Sequence, residues 1–178
     1  EDVARSLKKV IWELRKSPNT ELREPIIWAW RWLHGWMAGV PSTRMELGAA
    51  PPMSEARFME SFESRHSMHD TTQAVAKHLG ICRPPLRLDS QCKYGALARG
   101  DASLYMRFPP AGYREKIWDH AAGVVIVEEA GGKVSDACGN KLDFSRGRWL
   151  DLEGGGIVGA PVSAHQALID AIAVVTSK

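Results

Sequence analysis

The chain has little with which to staple, anchor or supercharge itself. Its three cysteines, Cys82, Cys92 and Cys138, are odd in number and never fall in a Cys-x-x-Cys spacing. That excludes a disulfide framework and a zinc ribbon, and it points to a reducing, intracellular setting. Long hydrophobic runs are missing too: the most apolar early stretch, residues 25–40, carries Arg31 and His34 and is too short to span a bilayer, so no membrane protein is expected. Charge of one sign is also lacking. With 23 Lys and Arg against 21 Asp and Glu, the formal charge is +2, which gives no nucleic-acid footprint and makes any recognition of an anion local. Neither Gly-x-Ser-x-Gly nor an activated-cysteine setting occurs, so no protein nucleophile is indicated. The chain opens on Glu1, and residues 1–17 alternate charged with apolar side chains instead of following a signal-peptide pattern. Repeats and low-complexity tracts are absent from the sequence.

What is there suits one globular domain: 178 residues, 44% hydrophobic and 25% charged, can bury a real core. Val3, Leu7, Val10, Ile11 and Leu14 recur at helical spacing until Pro18 and Asn19, which predicts an amphipathic helix over residues 4–16. Trp28, Trp30, Trp32 and Trp36 suggest a second helix whose rings pack in a core or interface, or stack on a ligand. Residues 39–52, rich in Gly, Ala and Pro, read as a linker. The chain therefore divides into a Trp-rich helical segment with its linker, residues 1–53, and a domain over residues 54–178.

In that domain strand and helix patterns alternate. Strands are expected at residues 57–62, 86–89, 103–108, 133–136 and 156–160, and helices at 70–79, 90–99, 118–130 and 163–175. The run 124–127 alone would pass for a buried strand; its length and the small residues before it favour helix. Such alternation argues an α/β sheet with flanking helices.

Ligands of open α/β sheets bind beyond the carboxyl ends of the strands, where residues 66–70, 89–93 and 107–116 supply polar loops. Asp119 lies at the mouth of an apolar segment free of charge until Glu128. It either caps a helix starting near Trp118 or faces a cation, with Ala121, Ala122 and Gly123 allowing close approach of backbone. Ser90 would open a helix whose free N–H groups favour a phosphate, with Lys93 one turn on; a capping Ser and a solvated Lys explain the same pair. Arg107 ends an apolar strand and calls for a phosphate, or for a carboxylate such as Asp119 or Asp89, in bidentate geometry. Arg114 and Lys116 add cations to the next loop or are simply solvated.

The string Trp118-Asp-His-Ala-Ala-Gly123, followed by Glu129-Ala-Gly-Gly132, resembles the second signature of the inositol monophosphatase superfamily. Together with His66-Ser-Met-His-Asp70, Leu88-Asp-Ser-Gln-Cys-Lys-Tyr-Gly95, Tyr105-Met-Arg-Phe108 and Leu142-Asp-Phe-Ser145, it is similar to the 3'(2'),5'-bisphosphate nucleotidases of that superfamily, over residues 54–178. The resemblance implies a mixed sheet with flanking helices and a metal-assisted hydrolysis of adenosine 3',5'-bisphosphate, in which Mg²⁺ polarises the phosphoryl oxygens and readies a water. It implies that His66, Ser90, Lys93 and Arg107 contact the nucleotide, and that Asp119 binds catalytic Mg²⁺ beside the substrate. His66 and His69 could otherwise be a zinc pair, but no thiolate is near and the surrounding ligands are hard oxygens. His69 and His120 are expected only in local hydrogen bonds.

The superfamily's first signature, Asp-Pro-Ile/Leu-Asp-Gly-Thr, and its upstream Glu-Glu pair have no counterpart here; Glu128-Glu129 sits about two turns beyond Asp119. One carboxylate is too few for a magnesium pair. The chain thus resembles the nucleotide-facing carboxyl-terminal half of such an enzyme, expected to be weakly active or inactive alone. An inositol polyphosphate 1-phosphatase and a non-catalytic interaction module are the alternatives.

Overall fold

In the computed structural model, residues 45–64 and 67–177 are described, and they belong to one compact unit, Met45–Lys178. The expected helix at residues 4–16, the tryptophan cluster and residues 39–44 of the linker lie outside the described residues. Five strands form one mixed sheet in the order β2-β1-β3-β7-β5: β1 Phe58–Ser61, β2 Leu86–Leu88, β3 Leu104–Arg107, β5 Gly132–Asp136 and β7 Ile157–Pro161. A two-residue ribbon pairs β4, Glu115–Lys116, with β6, Trp149–Leu150. The helices are α1 His69–His78, α2 Cys92–Ala98, α3 Ala121–Glu129 and α4 Val162–Thr176.

Period-two alternation sends side chains of one strand to two separate cores. Phe58, Leu104, Met106, Val158 and Ala160 pack with Val75 and Ala76 of α1 and with Leu168 and Ile172 of α4. Met59, Tyr105, Val134 and Ile157 point the other way and pack with Tyr94 and Leu97 of α2 and with Val124 and Val127 of α3. The sheet is therefore covered on both faces. On the α2/α3 face, Gly159 leaves space for Leu97, whose Cδ2 would stand 2.9 Å from a Cβ there. On the other face, fully buried Glu60 ties three elements together, accepting hydrogen bonds from Thr72 of α1 and from Arg87 of β2, the latter at 2.9 Å.

Strands β1, β2 and β3 run parallel, so their carboxyl ends share one edge. Strand β7 runs antiparallel to β3 and to β5, with Ile157 opposite both Arg107 and Asp136, which brings the end of β5 to that edge as well. From this edge the chain leads from β1 to α1 on one face, but from β2 and β3 to α2 and α3 on the other. That divergence opens a crevice, as expected at such switch points. Among the described residues no helix is long and apolar enough to cross a membrane.

Most elements fall within a residue or two of their expected places, and 124–127 is helical. Two expectations are corrected. The segment 118–130 is not one helix: a 3-10 turn, Ile117–Asp119, precedes α3, and between them His120 has φ −132° and ψ −38°. Its ring turns inward to hydrogen-bond, which breaks the helical path. The helix expected from Ser90 begins instead at Cys92, because Ser90 sits at φ 57° and turns its own Oγ onto the Cys92 N–H at 3.4 Å.

A Cβ at Gly123 would lie 2.2 Å from Cδ2 of Tyr94, inside the α2/α3 contact, whereas one at Gly95 meets nothing within 4 Å. Gly123→Ala is expected to lower stability by about 1–3 kcal/mol or more through overpacking. Gly95→Ala, in the middle of α2, is expected to raise it by about 0.5–1 kcal/mol through helix propensity. Urea denaturation of both variants checks the pair; equal effects would contradict the packing described.

Candidate active site

Where β2 and β3 hand over to α2 and α3, a cavity of about 440 Å³ is lined by Ser90, Lys93, Arg107, Tyr113, Asp119 and His120, among others. Four of the five site residues expected from the sequence thus share one cleft. The fifth, His66, lies outside the described residues. The period-two pattern of β3 explains part of this convergence, since Arg107 lies two residues beyond Tyr105 and so faces α2.

Lys93 stands in the first turn of α2 and is only 2% exposed. Its stem folds back over the end of β2, and Nζ donates to the Leu88 carbonyl at 3.2 Å. Burial, assisted by the Arg107 charge, lowers its pKa to about 8. It is not the solvated lysine that was the alternative reading.

Arg107 is held by a carboxylate, but neither Asp119 nor Asp89. Its Nε donates to Glu115 Oε1 at 2.5 Å and its Nη2 to Oε2 at 3.0 Å, while Nη1 donates to Ser61 Oγ at 3.2 Å. The sequence reading missed Glu115 because its inward direction is set by β4, a strand too short to register as a pattern. Pairing with β6 turns Glu115 and Leu150 inward, to 1% and 3% exposure. Burial disfavours the Glu115 charge, yet the hydrogen bonds from His120 and Arg107 outweigh it and hold its pKa below the ordinary value. Burial likewise opposes the Arg107 charge, and Glu115 more than restores it.

His120, 2% exposed, donates from Nε2 to Glu115 Oε2 at 3.0 Å and has Nδ1 2.7 Å from the Tyr94 hydroxyl. His69 stays local, with Nε2 2.9 Å from the Ser61 carbonyl oxygen. Tyr94 and Tyr105 were also missed; both are 1% exposed, and nothing in their spacing separates a hydrogen-bonded core tyrosine from an ordinary one.

Asp119 caps no helix, since the residue before α3 is His120, and it is exposed at the cavity rim. Among the described residues no three His, Cys, Asp or Glu side chains gather to hold a metal. Among the described residues Asp119 is the one acid on the cavity wall, and Glu115 behind it is already committed to Arg107 and His120. This donor set does not fit a pair of magnesium ions, each of which takes one or two carboxylates besides waters and phosphate oxygens.

Residues 17–176 match the inositol monophosphatase family. The chain belongs to that family. The match reaches further upstream than residues 54–178, on which the motifs place the resemblance. A 3'(2'),5'-bisphosphate nucleotidase of Oryza sativa is 56% identical over 119 residues, 67% of this chain and 33% of the relative. A nucleotidase of the same description from Schizosaccharomyces pombe is 48% identical over 125 residues, 70% of this chain and 35% of the relative. The matched stretch spans about a third of the length of these relatives. Among solved structures, an IMPase from Thermotoga maritima superposes with a TM-score of 0.57 at 18% identity, covering 77% of this chain and 48% of that one. The suhB protein of Bartonella henselae gives 0.56 at 19%, covering 74% and 46%. These two likenesses are of fold.

In this inositol monophosphatase family chain the Lys93 environment has a measurable signature. The unfolded lysine keeps its proton to about 10.5 and the folded one releases it near 8. Between those values the unfolded state binds more protons, so this group makes stability rise with pH. Denaturation across pH 8 to 10.5 is expected to show that rise in the native chain and to lose it in Lys93→Met; an identical slope in both would remove the burial argument.

Proposed function

We propose that the chain forms the phosphate-recognising side of a 3'(2'),5'-bisphosphate nucleotidase, whose reaction converts adenosine 3',5'-bisphosphate to AMP and phosphate. The observation that carries this reading is the convergence of Ser90, Lys93, Arg107 and Asp119 on one cavity, in a chain 42–56% identical to relatives described as bisphosphate nucleotidases. A phosphate monoester carries about 1.5 to 2 negative charges near neutral pH. Lys93, protonated below pH 8, supplies the opposing charge from a site where water screens it poorly. Arg107 supplies a directed N–H, and Ser90 a hydroxyl that can turn to an acceptor oxygen. At about 1.5–3 kcal/mol for each charge-assisted hydrogen bond, three such contacts approach the roughly 8 kcal/mol of a micromolar complex.

Asp119 has a different part. A carboxylate on the wall of an anion cavity repels the ligand unless a cation lies between them, which is the physical reason for reading Asp119 as the acid this chain offers to Mg²⁺. With one such acid, binding and orientation of the phosphate are within the chain's reach, and rapid hydrolysis is not.

Calorimetric titration of the chain with adenosine 3',5'-bisphosphate is expected to give binding that weakens as pH rises through 8. Lys93→Met is expected to lose about 10- to 100-fold in affinity, the worth of one charge-assisted contact, and to bind with little dependence on pH. Asp119→Asn should bind more tightly than the native chain without Mg²⁺ and gain nothing when Mg²⁺ is added. Native affinity indifferent to pH, to Lys93 and to Mg²⁺ would sink the reading. Fast Mg²⁺-dependent phosphate release by the chain would overturn the one-acid account.

A further inference from the structure

The Arg107 side chain has several rotatable bonds, and burial alone does not decide where its donors point. Three side chains beyond the cavity wall residues expected from the sequence decide it here. Glu115 accepts from Nε and Nη2 of Arg107, His120 Nε2 lies 3.0 Å from the same carboxylate, and the Tyr94 hydroxyl lies 2.7 Å from His120 Nδ1. None of the three is more than 2% exposed. The protons can be placed from donor chemistry: an ionised Glu115 only accepts, so His120 carries its proton on Nε2, and its Nδ1 accepts from the Tyr94 O–H. Tyr94 meets Tyr105 edge to face at 5.0 Å, which packs the far end of this line against a second buried ring.

We propose that Glu115, His120 and Tyr94 are positioning residues for anion recognition: the buried hydrogen-bonded line they form holds the Arg107 guanidinium in one orientation, with its two remaining N–H groups available to the cavity. Stability alone is a poor reason for such a line of buried polar groups, because a buried ion pair gains little over apolar residues of the same volume. Of the five N–H groups, Glu115 takes two and Ser61 a third. Two N–H groups, one on each Nη, are left for a ligand, and the internal bonds fix the plane in which they lie. This inference rests on the nucleotidase reading only for the identity of the ligand.

The test uses the full chain, with the Arg107 Nε–H followed by ¹⁵N NMR and inorganic phosphate and adenosine 3',5'-bisphosphate as separate probes. Tyr94→Phe keeps the ring in its place against Gly123 and deletes only the hydroxyl; Glu115→Gln is the more severe companion. In the native chain the Nε–H should exchange slowly without ligand. Tyr94→Phe should speed that exchange and weaken phosphate binding by about 2- to 10-fold, the worth of one hydrogen bond, at temperatures where the variant is fully folded. Glu115→Gln should exceed both effects. Unchanged exchange in Tyr94→Phe, or faster exchange with unchanged phosphate affinity, overturns the proposal. If inorganic phosphate behaves as stated and the adenosine bisphosphate does not bind, the positioning role stands and the nucleotidase reading falls. A native cleft that binds neither overturns both.

Discussion

The paired hydrogen bonds from Arg107 to Glu115 are the constraint around which one edge of this sheet is organised. A guanidinium at the carboxyl end of a central strand, 9% exposed, can stay charged there only with a carboxylate in contact. Glu115 reaches it because the β4/β6 ribbon lies across that edge and alternates its side chains inward and outward. His120 then completes the carboxylate's coordination, and its inward turn is what separates the 3-10 turn at Asp119 from the start of α3. Asp119 is left at the rim, facing the cavity instead of the protein interior.

The same alternation that gives the sheet two cores also divides its chemistry. On β1, Glu60 turns toward α1 and is closed off by Thr72 and Arg87, while Ser61 turns the other way and meets Arg107. Polar groups on one face are closed off by α1 and β2, and on the other Ser61 backs Arg107, which reaches the cavity wall. A single covered sheet can in this way keep two adjacent buried polar side chains, Glu60 and Ser61, in separate hydrogen-bond networks.

The architecture was largely legible in the sequence because its strands and helices are amphipathic at the scale of single elements. Leu104 to Arg107 and the run from Ala121 to Glu129 declare themselves by period and length. So did the convergence of Ser90, Lys93, Arg107 and Asp119, since strand ends and the residues following them are ordered by chain direction. What escaped were relations set by tertiary contact. Glu115 reads as one charge among several in a polar loop; only the two-residue pairing with Trp149 and Leu150 turns it inward. Tyr94 and His120 look like an ordinary core aromatic and a surface histidine until they stand 2.7 Å apart. The position of Ser90, too, depends on a backbone angle at φ 57° that serine seldom adopts and no local pattern announces.

The contact between Gly123 and Tyr94 carries this dependence into heredity. With only 2.2 Å between a would-be Cβ and the aromatic ring, bulk at one position excludes bulk at the other. A lineage can acquire bulk at 123 only by trimming residue 94, and trimming residue 94 removes the hydroxyl that His120 leans on. A glycine inside the α2/α3 contact thereby limits which side chains position 94 can carry beside His120.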